Sequence, residues 1–187
     1  MKISNGNMKI GKDTLIINIT SATDCPSKRL GLCRVYTKCY AMKAERLYPQ
    51  CLPYRREQTY QWDNNSAAEL ADLIILEAYK HKCNKIKYLR FSEAGDFRNQ
   101  EDVDKMSAVA DILIKRDIRV YGYTARRDLD FSKISRNMVV NGSDFMLSNS
   151  FTAVPKTKPL PLMCPGNCRT CTLCKSANGL KIGVALH

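Results

Sequence analysis

Histidine is nearly missing from this chain: it has two, His81 and the terminal His187, and neither stands in a ligand or catalytic context. No apolar run approaches the roughly 18 residues that a membrane span needs. The N-terminus, MKISNGNMKIGKDTL, lacks the apolar stretch of a secretory signal, so the expected location is the cytoplasm. Internal repeats, low-complexity tracts and linkers are also missing, which points to one soluble α/β domain over residues 1–187. There is no phosphate-binding glycine loop and no serine or cysteine triad signature, so those two classes of chemistry are excluded. Acidic residues are few: 18 Asp and Glu face 30 Lys and Arg, a formal net charge of +12. A balance this basic points to a polyanionic partner, most simply nucleic acid.

What the chain has in quantity is cysteine. Nine thiols in a reducing compartment bind metal or do redox chemistry more readily than they pair. Four of them, Cys164, Cys168, Cys171 and Cys174, crowd the tail MCPGNCRTCTLCK with the spacing C-x3-C-x2-C-x2-C. Closely spaced thiolates suit the corners of an iron–sulfur cluster, because one short loop can cap several irons. A tetrahedral zinc ion prefers two short knuckles with a longer spacer between them. Cys25, Cys33 and Cys39 form a second group in the loop 25–39. The seven make a ligand pool for one 4Fe–4S cluster. They also suffice for two, if one iron is left open to water or a substrate. Zinc is the alternative. Cys51 and Cys83 read as partly buried small hydrophobes. Cys164, Cys168 and Cys171 also match the C-x3-C-x2-C triad of radical S-adenosylmethionine enzymes. In those enzymes the triad follows the first barrel strand, near the N-terminus; here it lies at the far end, and Cys174 is at hand to close the open iron.

Residues 13–20, DTLIINIT, read as a strand. Helices are expected over 37–47, stopped by Pro49, and after Pro53 through PYRREQTYQW. Ser66 and Glu69 form a capping box for a further helix, with Leu70, Leu73, Ile74 and Ala78 on one face. A strand in KIKYLRFSEAGDF ends in a turn at Gly95. The helix EDVDKMSAVADILIKRD, the strand DIRVYGYT, a short helix RRDLDFSKISR and the strand NMVVNGS come next, and FMLSNS offers one more. Alternation at this spacing means βαβ units and a mainly parallel sheet, extending to a partial barrel. A proline-rich, extended arm then carries the tail cysteines (164–174) back across the fold.

In parallel sheets functional groups gather beyond the carboxyl ends of strands. Glu93 and Asp96 of SEAGDF sit at such an end and can act as acid and base or bind a metal, although Asp96 also suits a helix or turn cap. Arg126 and Arg127 of YTARRD, beside Thr124, can grip phosphate. Glu93, Asp96 and Arg126 are therefore the candidate catalytic residues. Lys28, Arg29, Arg34, Arg55, Arg56, Arg126 and Arg127 are the candidate nucleic-acid contacts. Tyr54, Tyr60 and Trp62 interleave with the arginines and can stack on bases or fill the core.

The segments CYAMKAERLYPQCLPYRRE, RFSEAGDF, YGYTARR and CPGNCRTCTLC resemble the gene product 88 family of phage and mobile-element proteins. The family pattern has a histidine before the segment that corresponds to SEAGDF; this chain has none there, so no role that needs an imidazole is carried over. The resemblance implies a phage origin and a nucleic-acid setting. The leading expectation is an iron–sulfur protein of phage type associated with nucleic acid. The alternatives are a redox or radical-type iron–sulfur enzyme with an open iron, acting on a small molecule, and a zinc-stabilised nucleic-acid-binding module.

Overall fold

The computed structural model describes residues 2–7, 9–81 and 85–186; Cys83 and His187 lie outside them. Seven strands form one sheet: β1 (Ser4–Asn5), β2 (Thr14–Ile17), β3 (Tyr88–Phe91), β4 (Arg119–Thr124), β5 (Met138–Ser143), β6 (Asn149–Val154) and β7 (Lys181–Ala185). Their spatial order equals their chain order. β1 pairs antiparallel with β2, and every other neighbouring pair is parallel. The helices are α1 (Pro26–Arg29), α2 (Tyr40–Leu47), α3 (Cys51–Asn64), α4 (Ala67–Lys80) and α5 (Gln100–Leu113). Among the described residues no helix is long and apolar enough to cross a membrane.

The expected helices form with shifted ends. Ser66 caps α4 with the full reciprocal box to Glu69. α3 starts two residues before Pro53, which the first turn tolerates because its N–H groups have no helical acceptors. α2 starts at Tyr40 because Cys39 is extended, and a separate 3-10 turn, Tyr36–Lys38, precedes it.

One expected helix is missing: residues 126–136 run as turns. Side chains of α5 take the backbone groups that a helix would have paired within itself. Gln100 accepts the Asp130 N–H at 2.9 Å and donates to the Asp130 carbonyl at 2.8 Å. Ser107 accepts the Ser135 N–H at 2.7 Å. FMLSNS likewise becomes a turn that leads into β6. This β5–β6 link has five residues, far shorter than the usual parallel crossover, because β6 starts beside the end of β5 with Asn149 opposite Asn141. The chain folds so tightly over Gly142 that a Cβ there would meet the Phe145 carbonyl oxygen at 2.2 Å.

The two faces of the sheet differ. On one, Leu89, Phe91, Val120 and Val140 pack against Leu70, Ala71 and Ile74 of α4 and Val103, Met106, Val109 and Leu113 of α5. On the other, Tyr121, Phe151 and Ile182 meet Leu162, Cys164, Leu173 and Cys174 from the stretch between β6 and β7. That stretch, 155–180, has no helix or strand of its own beyond an isolated bridge from Met163 to Gly183. The sheet face opposite the helices is thus the tail's packing surface.

Candidate metal centre

Cys25, Cys33 and Cys39 lie on the loop that leaves the carboxyl end of β2, the first strand of the parallel set. The nearby backbone N–H groups of Ser27 and Lys28 pull the Cys25 pKa down, and that of Val35 does the same for Cys33, although the Cys25 side chain makes no capping hydrogen bond to α1. Burial pushes the Cys25 thiol up to about 11, and the charges of Asp96 and Cys33 add to it. Burial also raises Cys33, with Cys39 and Asp96 acting in the same direction. Backbone amides near the sulfurs favour the thiolate that a metal requires.

Asp96 holds this loop. One carboxylate oxygen accepts the Ser27 hydroxyl at 2.6 Å and the Ala125 N–H at 2.8 Å. The other accepts the Thr124 hydroxyl at 2.6 Å and the Phe97 N–H at 2.9 Å. Burial drives its pKa upward while these four donors pull against it. Ser27 in turn receives the N–H groups of Leu32 and Cys33 on its carbonyl, at 2.9 and 3.2 Å. Asp96 therefore ties β3, β4 and the cysteine loop together. With four donors on two oxygens it positions the loop, in keeping with the capping role its place in the sequence also suits. The turn before it is tight: Ser92 and Gly95 both have positive φ, and a Cβ on Gly95 would overlap Thr20.

The tail group lies on the face without helices. Burial raises Cys168 and Cys174, and the positive charge of Arg90 pulls both back down. The Tyr123 hydroxyl reaches the Cys174 sulfur and favours its thiolate. Cys168 feels Cys164, and Cys174 feels Cys168 and Cys171, so all four tail thiols share one neighbourhood. Two fully buried asparagines fasten it. Asn141 donates to the carbonyls of Gly122 at 3.0 Å and Cys174 at 2.9 Å. Asn149 donates to the carbonyls of Leu173 and Ser176, and accepts the N–H groups of Asn178 and Leu180.

The loop cysteines follow the carboxyl end of β2, and the tail cysteines pack on the sheet face without helices. Arg90 lies between them. Its guanidinium is surrounded by Tyr40, which follows Cys39, and by Tyr121, Tyr123 and Glu93. It sits 5.4 Å over the Tyr123 ring, yet its buried Nε has no hydrogen-bond partner. The buried Ser92 hydroxyl is equally unpartnered. Lys175 is 5% exposed; its Nζ donates to the Cys168 carbonyl at 3.3 Å and lies 4.0 Å over the Tyr88 ring. Among the described residues neither Arg90 nor Lys175 forms an ion pair.

Glu93 accepts Asn7 Nδ2 at 3.5 Å, and its backbone carbonyl takes the Tyr40 hydroxyl at 2.5 Å. Of the other expected contacts, Arg126 is 5% exposed and fully engaged. It makes a bidentate pair with Asp128 at 2.8 Å and donates to the Phe97 and Arg98 carbonyls. Arg55 is buried against Glu45 at 2.8 Å, and Arg56 pairs with Asp24 at 2.9 Å. Lys28, Arg29, Arg34 and Arg127 remain on the rim around the loop, with Arg29 3.6 Å from Asp24 and Arg34 3.6 Å from Asp144. Trp62 is core: its indole N–H donates to Asp102 at 2.7 Å. Tyr60 is exposed. His81 meets Asn5 at 2.9 Å.

Sequence reading missed Arg90, Tyr121, Tyr123, Asn141, Asn149 and Lys175. The available signal was the run of polar and aromatic residues at alternate positions, Tyr88, Arg90 and Ser92, then Tyr121 and Tyr123, which share a sheet face.

A family model for gene product 88 matches residues 1–152. The chain belongs to the gene product 88 family. The match takes in the cysteine loop, SEAGDF and YTARR, and stops before the tail cysteines. No curated protein and no solved structure matches this family member.

Among the described residues, no three Cys, His, Asp or Glu side chains stand close enough to hold a single metal ion. A zinc site would need its sulfurs about 2.3 Å from one ion. An iron–sulfur cluster places its own irons and sulfides between the thiolates, and so takes a wider set. The donors, two thiol groups with amide, hydroxyl and cationic neighbours, fit that chemistry.

Proposed function

We propose that this protein is an iron–sulfur redox or radical-type enzyme with two clusters. The observation that carries the reading is the pair of cations beside the tail thiols, partly buried Arg90 and buried Lys175, which form no ion pair among the described residues. The charges of both favour thiolate over thiol at Cys168, and thiolates around a 4Fe–4S cluster supply the matching anion. Cys164, Cys168, Cys171 and Cys174 are the ligands of this cluster.

Cys25, Cys33 and Cys39 hold the second, leaving one iron for a small-molecule ligand. Their place after the first parallel strand supports this, because that is where an open-iron triad is expected in a radical-type enzyme. The unpartnered Arg90 Nε and Ser92 hydroxyl would orient that ligand. A low-potential cluster supplies single electrons. The protein's own part is to enclose, orient and charge-balance it.

Anaerobic reconstitution tests this. The expected content is about eight irons and eight sulfides per chain. Cys33→Ala and Cys171→Ala should each remove about half. S-adenosylmethionine should perturb the electron paramagnetic resonance signal that Cys171→Ala retains. Stoichiometric zinc without sulfide, or loss of all iron from either variant, sinks the two-cluster reading.

The net charge of +12 supports a second reading, in which nucleic acid is the partner and Lys28, Arg29, Arg34 and Arg127 are its contacts. Oligonucleotide binding that falls steeply with salt, and weakens when these four are replaced, is its test.

A further inference from the structure

At the amino end of the sheet, away from the cysteine loop, lies a groove of about 660 Å³ that includes Lys12, Lys85, Lys87 and Arg169 in its lining. A second hollow, holding Lys9 and Arg169, adjoins it. The carboxylate in the groove is Asp13, which accepts the Thr14 hydroxyl at 3.0 Å. Lys85 lies 4.0 Å from Asp117, both highly exposed, a separation at which a surface pair is worth little. Lys9, Lys12, Lys87 and Arg169 form no ion pair among the described residues. The wall of this basic patch is the cysteine tail itself. The Cys168 N–H donates to the Lys9 carbonyl at 3.0 Å, and Arg169 packs over Gly11.

We propose that this groove docks an acidic one-electron carrier protein that reduces the tail cluster; the inference rests on the tail thiols holding a redox-active cluster. Two observations favour a protein carrier over nucleic acid. Among the described residues no aromatic side chain lines the groove, so stacked bases find no platform. The patch also adjoins the ligand Cys168, where a carrier's electron has the shortest way in. The step is a single electron passing from the reduced carrier to the cluster; the carrier is oxidised, the cluster is reduced, and no bond is made. Opposite charge speeds the encounter and makes it sensitive to salt.

The test uses the anaerobically reconstituted full chain, with reduced flavodoxin as the acidic carrier and dithionite as a carrier-independent reductant. The variant Lys12→Glu/Lys85→Glu/Lys87→Glu spares the tail. Its iron content and dithionite reduction should match the parent chain, while flavodoxin-driven reduction slows about tenfold or more and loses its salt dependence. The milder Lys→Gln triple variant should fall between them. A chain that binds no cluster overturns the underlying reading and this inference with it. A normal cluster whose reduction by flavodoxin is unchanged in the variants overturns the groove alone. So does loss of single-stranded oligonucleotide binding in variants that flavodoxin still reduces normally.

Discussion

Asp102 shows how a single buried carboxylate is kept charged. Burial pushes its pKa up, but the Arg98 guanidinium at 2.9 and 2.8 Å, the Arg98 N–H and the Trp62 indole outweigh that and hold it below its ordinary value. Its unfolded pKa is about 3.9, so the stability it contributes is present above that pH and drains away as pH falls through the lower folded value. Denaturant titrations between pH 7 and pH 3 should show this loss, and Asp102→Asn should flatten it. Asp96 works on the cysteine loop. Asp96→Ala strands the Ser27 and Thr124 hydroxyls and two N–H groups, at about 1–3 kcal/mol for each buried donor left bare. The expected result is a loop that loses its iron while the tail keeps its own. Retention of full iron with an unchanged melting temperature would count against this role.

At the scale of elements, local rules and long-range rules separate cleanly. The capping box of α4 is satisfied by residues within four positions, so Ser66→Ala should cost about 1 kcal/mol, read as a lower denaturation midpoint with an unchanged slope. The β5–β6 link is not local in that sense. Gly142 is required by the fold-back of Phe145, 2.2 Å from where a Cβ would stand. Gly142→Val should therefore unfold or misplace β6, and circular dichroism and limited proteolysis would report it. The segment 126–136 has helix-compatible residues, yet Gln100 and Ser107 of α5 capture its backbone, and no pattern within the segment records that competition.

For the whole molecule, the tail is where the proposed cluster bears most on folding. It has no helix or strand between 155 and 180, and it is fastened by Asn141, Asn149 and the packing of Leu173 and Cys174. If the tail holds the proposed cluster, removing metal with a chelator under anaerobic conditions should expose 155–180 to proteases while α4 and α5 stay protected, because cluster binding and tail ordering would then be one equilibrium. Equal protection with and without metal would mean that the asparagines and apolar contacts suffice.

The sequence by itself determined the alternation of strands and helices, the apolar faces of α4 and α5 and the turn at Gly95, because periodicity and capping act over a few residues. The tertiary structure decided that Arg126, Arg55 and Asp96 are hydrogen-bonded inside the protein, and that Arg90 and Lys175 form no ion pair among the described residues. Those outcomes depend on parallel strands and a returning tail meeting across long stretches of chain. A polar residue at an alternate strand position reads the same whether it faces water or a closed interior.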